Sequence, residues 1–135
     1  MSGSFGNYAE NKILEHIVGK TAFTKPTAYI ALSTADPGED NAGLAEPSGN
    51  GYARVATAAA DWNNAASGSI SNAQDITFPQ ASGSWGTIAY FAIMDAAEGG
   101  NMLAHGSLGV AKAVSQGDTC KYAGGTPGDL VINLD

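Results

Sequence analysis

The first regular pattern along the chain is helical and lies between residues 7 and 19. Asn7 followed three residues later by Glu10 has the form of a capping box, and Gly19 suits a helix end. Between them, apolar side chains recur at the spacing of one helix face: Ile13, Leu14, Ile17 and Val18. A helix this short needs something to pack against. We therefore treat the apolar stripe as a candidate docking surface, facing either its own domain or a neighbouring subunit.

After Pro26 the apolar positions alternate with a period of two, which is typical of strands. Glycine-rich turns separate these segments, and Gln116, Gly117 and Asp118 read as the tip of a hairpin. The predicted strand segments are 27–33, 52–59, 68–71, 75–78, 87–94, 102–108, the two arms of 110–122, and 130–134.

Seven or eight short strands with one helix predict an all-β fold, an antiparallel β-sandwich or barrel with an N-terminal α-helix. The length of 135 residues fits a single domain, 1–135. Within it, residues 1–25 form the helix and its lead-in, and residues 26–135 form the sandwich.

One long connection, DPGEDNAGLAEPSGNG at 36–51, stands out because loops of this length in small domains are usually functional or mobile. Its clustered oxygen atoms make it a calcium candidate, although the order of residues does not match an EF-hand, and such acidic loops are more often simply solvated. The candidate ligands are Asp36, Glu39, Asp40 and Asn41. The three acidic residues are also candidates for docking a partner.

The net charge of −7 argues against negatively charged partners. Six basic residues scattered over the chain do not form the cationic stripe that nucleic acids or anionic membranes require. The hydrophobic fraction of 44% is enough for a packed core, yet no apolar run approaches the length of a membrane span. We therefore expect neither nucleic acid nor membrane as a partner.

Candidate chemistry is sparse. His16, His105 and Cys120 lack the spacing of a metal site, so we expect no metal ligands among them. Ser107 lies near His105, but no G-x-S-x-G elbow follows a strand. The remaining carboxylates fall at predicted turns, where Asp and Glu commonly face water. The sequence thus predicts no enzyme and no cofactor.

The segment SGSWG at 82–86 allows two interpretations. In the first, exposed aromatic side chains form a platform for sugar rings. The candidates for that platform are Trp62, Trp85, Tyr52 and Tyr90. In the second, Trp85 is buried at a strand corner, with its indole N–H bonded to a loop carbonyl and flanking glycines bending the backbone. The general burial of tryptophan favours the corner.

The order of motifs resembles small structural proteins of tailed bacteriophages. The carrying segments are NYAENKILEH at 7–16, LSTADP at 32–37, GYARV at 51–55, FP followed by GSWG at 78–86, and GGNML at 99–103. The resemblance implies a virion component, assembled in the host cytoplasm because the N-terminus lacks the pattern of a signal peptide.

Two locations on the particle are implied by the resemblance. Related proteins are labelled short tail-fibre proteins, and others of similar size decorate or cement phage heads. A fibre shaft would need repeats or a coiled coil, and the sequence has neither. We therefore expect a capsid decoration protein that stabilises the assembled head by binding it, and a tail-fibre or baseplate module, possibly carbohydrate-binding, is the alternative. The expected partners are the major capsid protein or tail proteins, with multiple copies or a homo-oligomer on the particle.

Overall fold

The computed structural model describes residues 2–134, so the two terminal residues of the predicted domain 1–135 lie outside the described range. The strands are β1 (Ser2–Phe5), β2 (Tyr29–Ser33), β3 (Val55–Ala56), β4 (Ser69–Ser71), β5 (Ile76–Thr77), β6 (Gly86–Met94), β7 (Met102–Val114), β8 (Lys121–Tyr122) and β9 (Val131–Asn133). One α-helix, α1, spans Asn7–Ile17, and a 3-10 turn spans Ala59–Asp61.

Seven strands form one curled sheet in the order β3-β2-β6-β7-β1-β9-β4, and β5 and β8 form a second, two-stranded sheet. The predicted all-β class with an N-terminal helix is confirmed. One ladder differs from the antiparallel expectation, because β1 runs parallel to β9. The sequence did not predict β1, because SGSF does not alternate apolar and polar residues and has only one large side chain. The segment becomes a strand through backbone pairing with β7 and β9.

A cap at Asn7 would start the helix at residue 8, but α1 begins at Asn7 itself. Gly6, in extended conformation, is the N-cap without a side-chain hydrogen bond, so the predicted capping role of Asn7 is wrong. The physical reason is the short connection from β1: Gly6 N–H donates to Leu103 O at 3.0 Å and Asn7 N–H donates to Glu39 O at 2.8 Å. The chain therefore enters the helix already fixed to the sheet and to the acidic loop.

The core lies against β6, whose inner side chains are almost fully buried. Ile88, Phe91 and Ile93 join the main cluster, while Ala92 and Met94 pack on the opposite face of the sheet with Met102. Burial on both faces explains the nearly continuous apolar run TIAYFAIM, which alternation alone would not give.

The predicted hairpin over 110–122 is wrong in its pairing. The turn is present, with Asp118 N–H bonded to Ser115 O at 3.0 Å. The arm that follows it leaves β7, however, and bonds to residues 78–81: Phe78 N–H donates to Cys120 O and Ala81 N–H donates to Asp118 O. Local sequence indicates the turn, whereas the partner of the returning arm is set by distant residues.

Two glycines allow β1 to approach β7 closely. Gly3 and Gly106 face each other across the ladder. A Cβ on Gly106 would come within 2.5 Å of Ser2 O and 2.7 Å of Phe91 Cε1, and a Cβ on Gly3 would collide with His105 O. The β1–β7 pairing, and through β1 the attachment of β9, therefore requires the absence of a side chain at this point.

We expect Gly106→Ala to lower the free energy of unfolding by about 1–3 kcal/mol, because the new methyl group would overpack the β1–β7 contact. Urea denaturation measures the change. Ala113→Ser, at an exposed position of the same strand, is the control and should change stability by less than about 0.5 kcal/mol. Equal stability of the two variants would contradict the close approach.

Candidate functional site

One hydrogen-bonded polar group within residues 2–134 centres on an ion pair between the acidic loop and the segment that follows it. Arg54 Nε and one of its terminal nitrogens donate to the two carboxylate oxygens of Glu46, at 3.0 and 2.6 Å. Tyr52 Oη donates to Glu46 at 2.5 Å and accepts from Leu32 N–H at 3.0 Å. We call Glu46, Tyr52 and Arg54 the polar clamp.

The clamp also reaches the turn between β6 and β7. The other terminal nitrogen of Arg54 donates to Ala96 O at 2.8 Å and to Gly99 O at 2.9 Å. Asp95 stabilises that turn. Its carboxylate oxygens accept hydrogen bonds from the backbone N–H and the side-chain amide of Asn101, at 2.7 and 3.0 Å. One guanidinium group thus joins the acidic loop to a hairpin more than forty positions away in sequence.

Burial and charge fix the protonation of the clamp. The side chains of Arg54 and Glu46 are only 5% and 20% exposed. Burial pushes the pKa of Glu46 upward, but hydrogen bonds from Arg54 and Tyr52, together with the charge of Arg54, outweigh it and hold that pKa below its ordinary value of 4.5. Burial and the bond to Glu46 raise the pKa of Tyr52 far above 10.0. At neutral pH the pair is charged and the phenol neutral.

Trp85 lies directly behind the clamp. Its side chain is 3% exposed, and its indole N–H donates to Asn50 O at 2.8 Å. Its ring meets Tyr52 edge-on with centroids 5.3 Å apart, and Tyr52 stacks on Phe78 at 6.4 Å. The predicted corner, with a loop carbonyl for the indole, is confirmed, so Trp85 offers no open platform in this conformation.

The other members of the proposed glycan platform are partly covered. Trp62 is half-buried and donates from its indole nitrogen to Thr57 Oγ1 at 3.0 Å. Tyr90 is half-buried on β6, and the hydroxyl of Tyr52 is held by the clamp. The structure therefore brings Tyr52 and Trp85 into contact, with Trp85 buried and Tyr52 half-buried.

The acidic loop uses its carboxylates in local turns. Asp36 Oδ1 accepts from Gly38 N–H and Asp40 Oδ1 from Ala42 N–H, each at 3.0 Å. These bonds stabilise the turns themselves. Glu39 and both aspartates are exposed, and their role as docking candidates stays a prediction.

His105 on β7 faces this loop. Its Nδ1 lies 3.9 Å from Asp36 Oδ1 and its Nε2 lies 3.7 Å from Glu39 Oε1. Nearby, Asn41 adopts a left-handed backbone conformation with φ 65°. Within residues 2–134, no group of three or more His, Cys, Asp or Glu side chains could hold a metal ion. The candidate calcium ligands thus share a loop without forming such a group.

The apolar stripe of α1 points away from the domain. Leu14, Ile17 and Val18 are 64%, 73% and 76% exposed, and Ile13 is half-buried. Ala9 is the helix residue that is buried in the core. The helix is thus held to the sheet by its first turns, and Leu14, Ile17 and Val18 remain mostly exposed.

The remaining candidates for reactive chemistry are hydrogen-bonded to the backbone or partly buried. His16 accepts from Phe23 N–H at 3.1 Å. Cys120 is half-buried, and burial raises the pKa of its thiol, which makes it less reactive. Ser107 Oγ accepts from Gly109 N–H at 3.0 Å. These bonds connect neighbouring backbone and do not join the serine, histidine and cysteine into one site. No helix within residues 2–134 has the length and apolarity to cross a membrane.

Sequence reasoning missed Glu46, Arg54 and Asn72. Asn72 is fully buried, donates to the carbonyls of Tyr122 and Ala123 and accepts from Leu130 N–H at 2.9 Å. The only signal for Arg54 was its position inside a strand-like run, where a charged side chain needs a partner. Nothing in the spacing identified Glu46 or Asn72.

We expect Arg54→Met to lower the free energy of unfolding by about 3 kcal/mol, because it leaves the Glu46 carboxylate buried and unpaired. The matched control is Lys121→Met, which removes a lysine 3.8 Å from Asp75 in an exposed pair and should cost less than about 1 kcal/mol. Urea denaturation at pH 7 compares them, and similar losses would contradict the role of the clamp.

Because the pKa of Glu46 is lowered, the free energy of unfolding depends on pH. A carboxylate with a folded-state pKa below its unfolded value stabilises the protein above the unfolded value, and that stability is lost as pH falls through the folded pKa. We expect the unfolding free energy of the wild type to fall below about pH 4.5 more steeply than that of Glu46→Gln. Parallel pH profiles of the two proteins would overturn this assignment.

Comparison with known proteins places the chain in a family. The family model described as "Podophage GP4 fiber I protein gp80" matches residues 4–127. No match was found among curated proteins. The matched range includes the helix stripe, the acidic loop, the polar clamp and Trp85, and the predicted resemblance to virion proteins of tailed phages is confirmed. The chain therefore belongs to the podophage GP4 fiber I protein gp80 family, a family of phage virion structural proteins.

Proposed function

We propose that this chain is a compact structural module of the podophage fibre that binds another virion protein through the apolar stripe of α1. The observation that supports this most directly is the exposure of Leu14, Ile17 and Val18 on a helix whose base is fixed to the sheet. Burying three such side chains would contribute on the order of 4–9 kcal/mol before the entropic cost of association.

The anchoring of the helix supports a docking role. Gly6 and Asn7 bond to Leu103 and to the acidic loop, and Tyr8 packs edge-on against Phe23 at 6.5 Å. The far end of the helix is thus presented in a fixed direction, so a partner would pay little to order it. Asp36, Glu39 and Asp40 lie in the loop that holds the helix start, and they would add an acidic contact for a basic partner.

The fibre is favoured over the head by the family description. Our sequence-based expectation of capsid decoration rested on the absence of repeats and of a coiled coil. That absence argues against a shaft, but it is compatible with a module that joins a shaft to the particle or caps it. Head decoration remains the competing location, and the two share the same physical mode of action: binding to an assembled surface in several copies, where avidity multiplies a modest contact.

We infer that binding rather than catalysis is the activity. The best-connected ionisable groups, Glu46, Tyr52 and Arg54, satisfy one another and backbone carbonyls. A catalytic site needs a group held ready for a substrate, whereas this network is closed on itself.

Phage carrying Leu14→Asp should incorporate at least tenfold less of this protein into purified virions, because a charge would be placed in the apolar contact. Leu134→Asp is the matched control, since Leu134 and Leu14 are 60% and 64% exposed, and it should leave incorporation unchanged. Quantitative immunoblotting of virions measures both. Normal incorporation of the Leu14 variant, with its fold verified by circular dichroism, would overturn the docking surface.

Electron microscopy of wild-type virions would test the location. Density for the module at a fibre supports the proposal. Density over the capsid shell would mean that the same docking surface binds a head protein. If Leu14→Asp instead dissociates an oligomer of the isolated protein in light scattering, the stripe is a contact between copies of this chain.

A further inference from the structure

We propose that Asn50 is a site of spontaneous covalent modification. Its side-chain amide is converted to a carboxylate through attack by the backbone nitrogen of Gly51, and the SGSWG corner at 82–86 slows the reaction by holding that amide in place. The site shares no residue with the helix stripe. It is therefore independent of the proposed docking through α1, and either can fail without the other.

The first observation is the sequence at this point. Asn50 is the one asparagine of the chain that is followed by a glycine. Attack on an asparagine side chain by the next backbone nitrogen is fastest before glycine, because no Cβ shields that nitrogen or restricts the backbone. The fold requires this glycine, since Gly51 has φ +80° and a Cβ there would lie 3.0 Å from Gln80 O. The loop therefore keeps the reactive pair.

The second observation is that the attacking nitrogen is free. Asn50 and Gly51 are both exposed, so water reaches the site. The N–H of Gly51 makes no hydrogen bond to any group within residues 2–134, whereas the next N–H, that of Tyr52, donates to Gly49 O at 3.1 Å. The nitrogen can therefore lose its proton to solvent without breaking a contact of the fold.

The third observation is that the side-chain amide of Asn50 is bound. Its Nδ2 donates to Ser84 O at 2.9 Å. Gly83 provides the space for it, because a Cβ on Gly83 would lie 2.7 Å from Cγ and Oδ1 of Asn50. The ring can close only when rotation brings Cγ onto Gly51 N, and a bound side chain does not rotate freely. The reaction therefore proceeds from conformations in which the bond to Ser84 has opened.

The chemistry consumes one water molecule and releases one ammonia molecule. Gly51 N loses its proton and forms a bond to Cγ of Asn50, while the Cγ–Nδ2 bond breaks and the nitrogen leaves, protonated, as ammonia. Water then opens the five-membered ring. Its hydroxyl adds to one of the two ring carbonyl carbons, and its proton returns to Gly51 N. Depending on the carbon attacked, the product is aspartate or isoaspartate, and no oxidant or reductant is needed.

Either product weakens the corner that covers Trp85. A carboxylate at position 50 cannot donate to Ser84 O, so two acceptors face each other where a hydrogen bond was. In isoaspartate the main chain runs through the former side chain. The oxygen that accepts from the indole N–H of Trp85 at 2.8 Å then belongs to a free carboxylate. The modification thus acts on a contact that buries an aromatic ring.

The first test compares the wild-type protein in its native state and unfolded in urea, both incubated at mildly alkaline pH. Peptide mapping by mass spectrometry measures the conversion of each asparagine to an acid. We expect Asn50 to react first in both states, and at least fivefold more slowly in the native state. A faster reaction at another asparagine of the native protein would overturn the site, and equal rates at Asn50 in the two states would overturn the role of the corner.

Two variants of the corner sharpen the comparison. Gly83→Ala should displace the amide from Ser84 O and raise the native rate at Asn50 at least fivefold. Ser82→Ala is the matched control, because it adds no atom beside the amide and keeps the N–H that donates to Asn50 O at 3.0 Å, so it should react like the wild type. Circular dichroism verifies both folds. An unchanged rate in folded Gly83→Ala, or equal acceleration in Ser82→Ala, would contradict the proposal. If Gly83→Ala does not fold, the comparison of native and unfolded wild type decides.

The consequence of the modification is tested by Asn50→Asp, which reproduces one of the two products. We expect a lower Tm than that of the wild type, because the bond to Ser84 O is lost. Asn64→Asp introduces the same charge at another exposed asparagine and should change the Tm less. Equal Tm values for the two variants would contradict the weakening of the corner.

Discussion

The ion pair between Arg54 and Glu46 is the constraint that holds the acidic loop and the β6–β7 turn together. It joins a sixteen-residue acidic loop to the β6–β7 turn, and it holds the phenol of Tyr52 against Trp85 and Phe78. The arginine lies in GYARV, the tryptophan in GSWG and Gly99 in GGN. Motifs that carry the resemblance to phage proteins therefore meet at one place, and what they do there is hold loops in position.

The ionisable groups that meet at this place bond to one another and to backbone carbonyls. A buried carboxylate and guanidinium would suggest an active site in another setting. Here each donor of the clamp has a partner within the protein, and the aromatic ring that could stack on a ligand is covered. The surface that we propose for docking, the exposed helix stripe, lies elsewhere.

Much of the fold was predictable because its signals are local. The period of the apolar residues located α1 and the central strand β6, and glycine-rich turns marked where the chain reverses. β1 was not predictable, since a four-residue segment with a single large side chain, Phe5, becomes a strand only through neighbours a hundred residues away. The same holds for the clamp and for Asn72, whose partners are brought together by the sheet. The exposure of the helix stripe could not be decided from sequence either, because the same periodicity describes a buried and an uncovered face.

The parallel pairing of β1 with β9 has a consequence for how the protein is made. β1 is synthesised well before both of the strands that it lies between, because its partners are residues 104–107 and 131–133. Such high contact order slows folding, since distant segments must meet before the pairing repays the loss of chain entropy. The ladders that hold β1 in the large sheet therefore form only after β7 and β9 have been synthesised, and β1 stays unpaired with them until then.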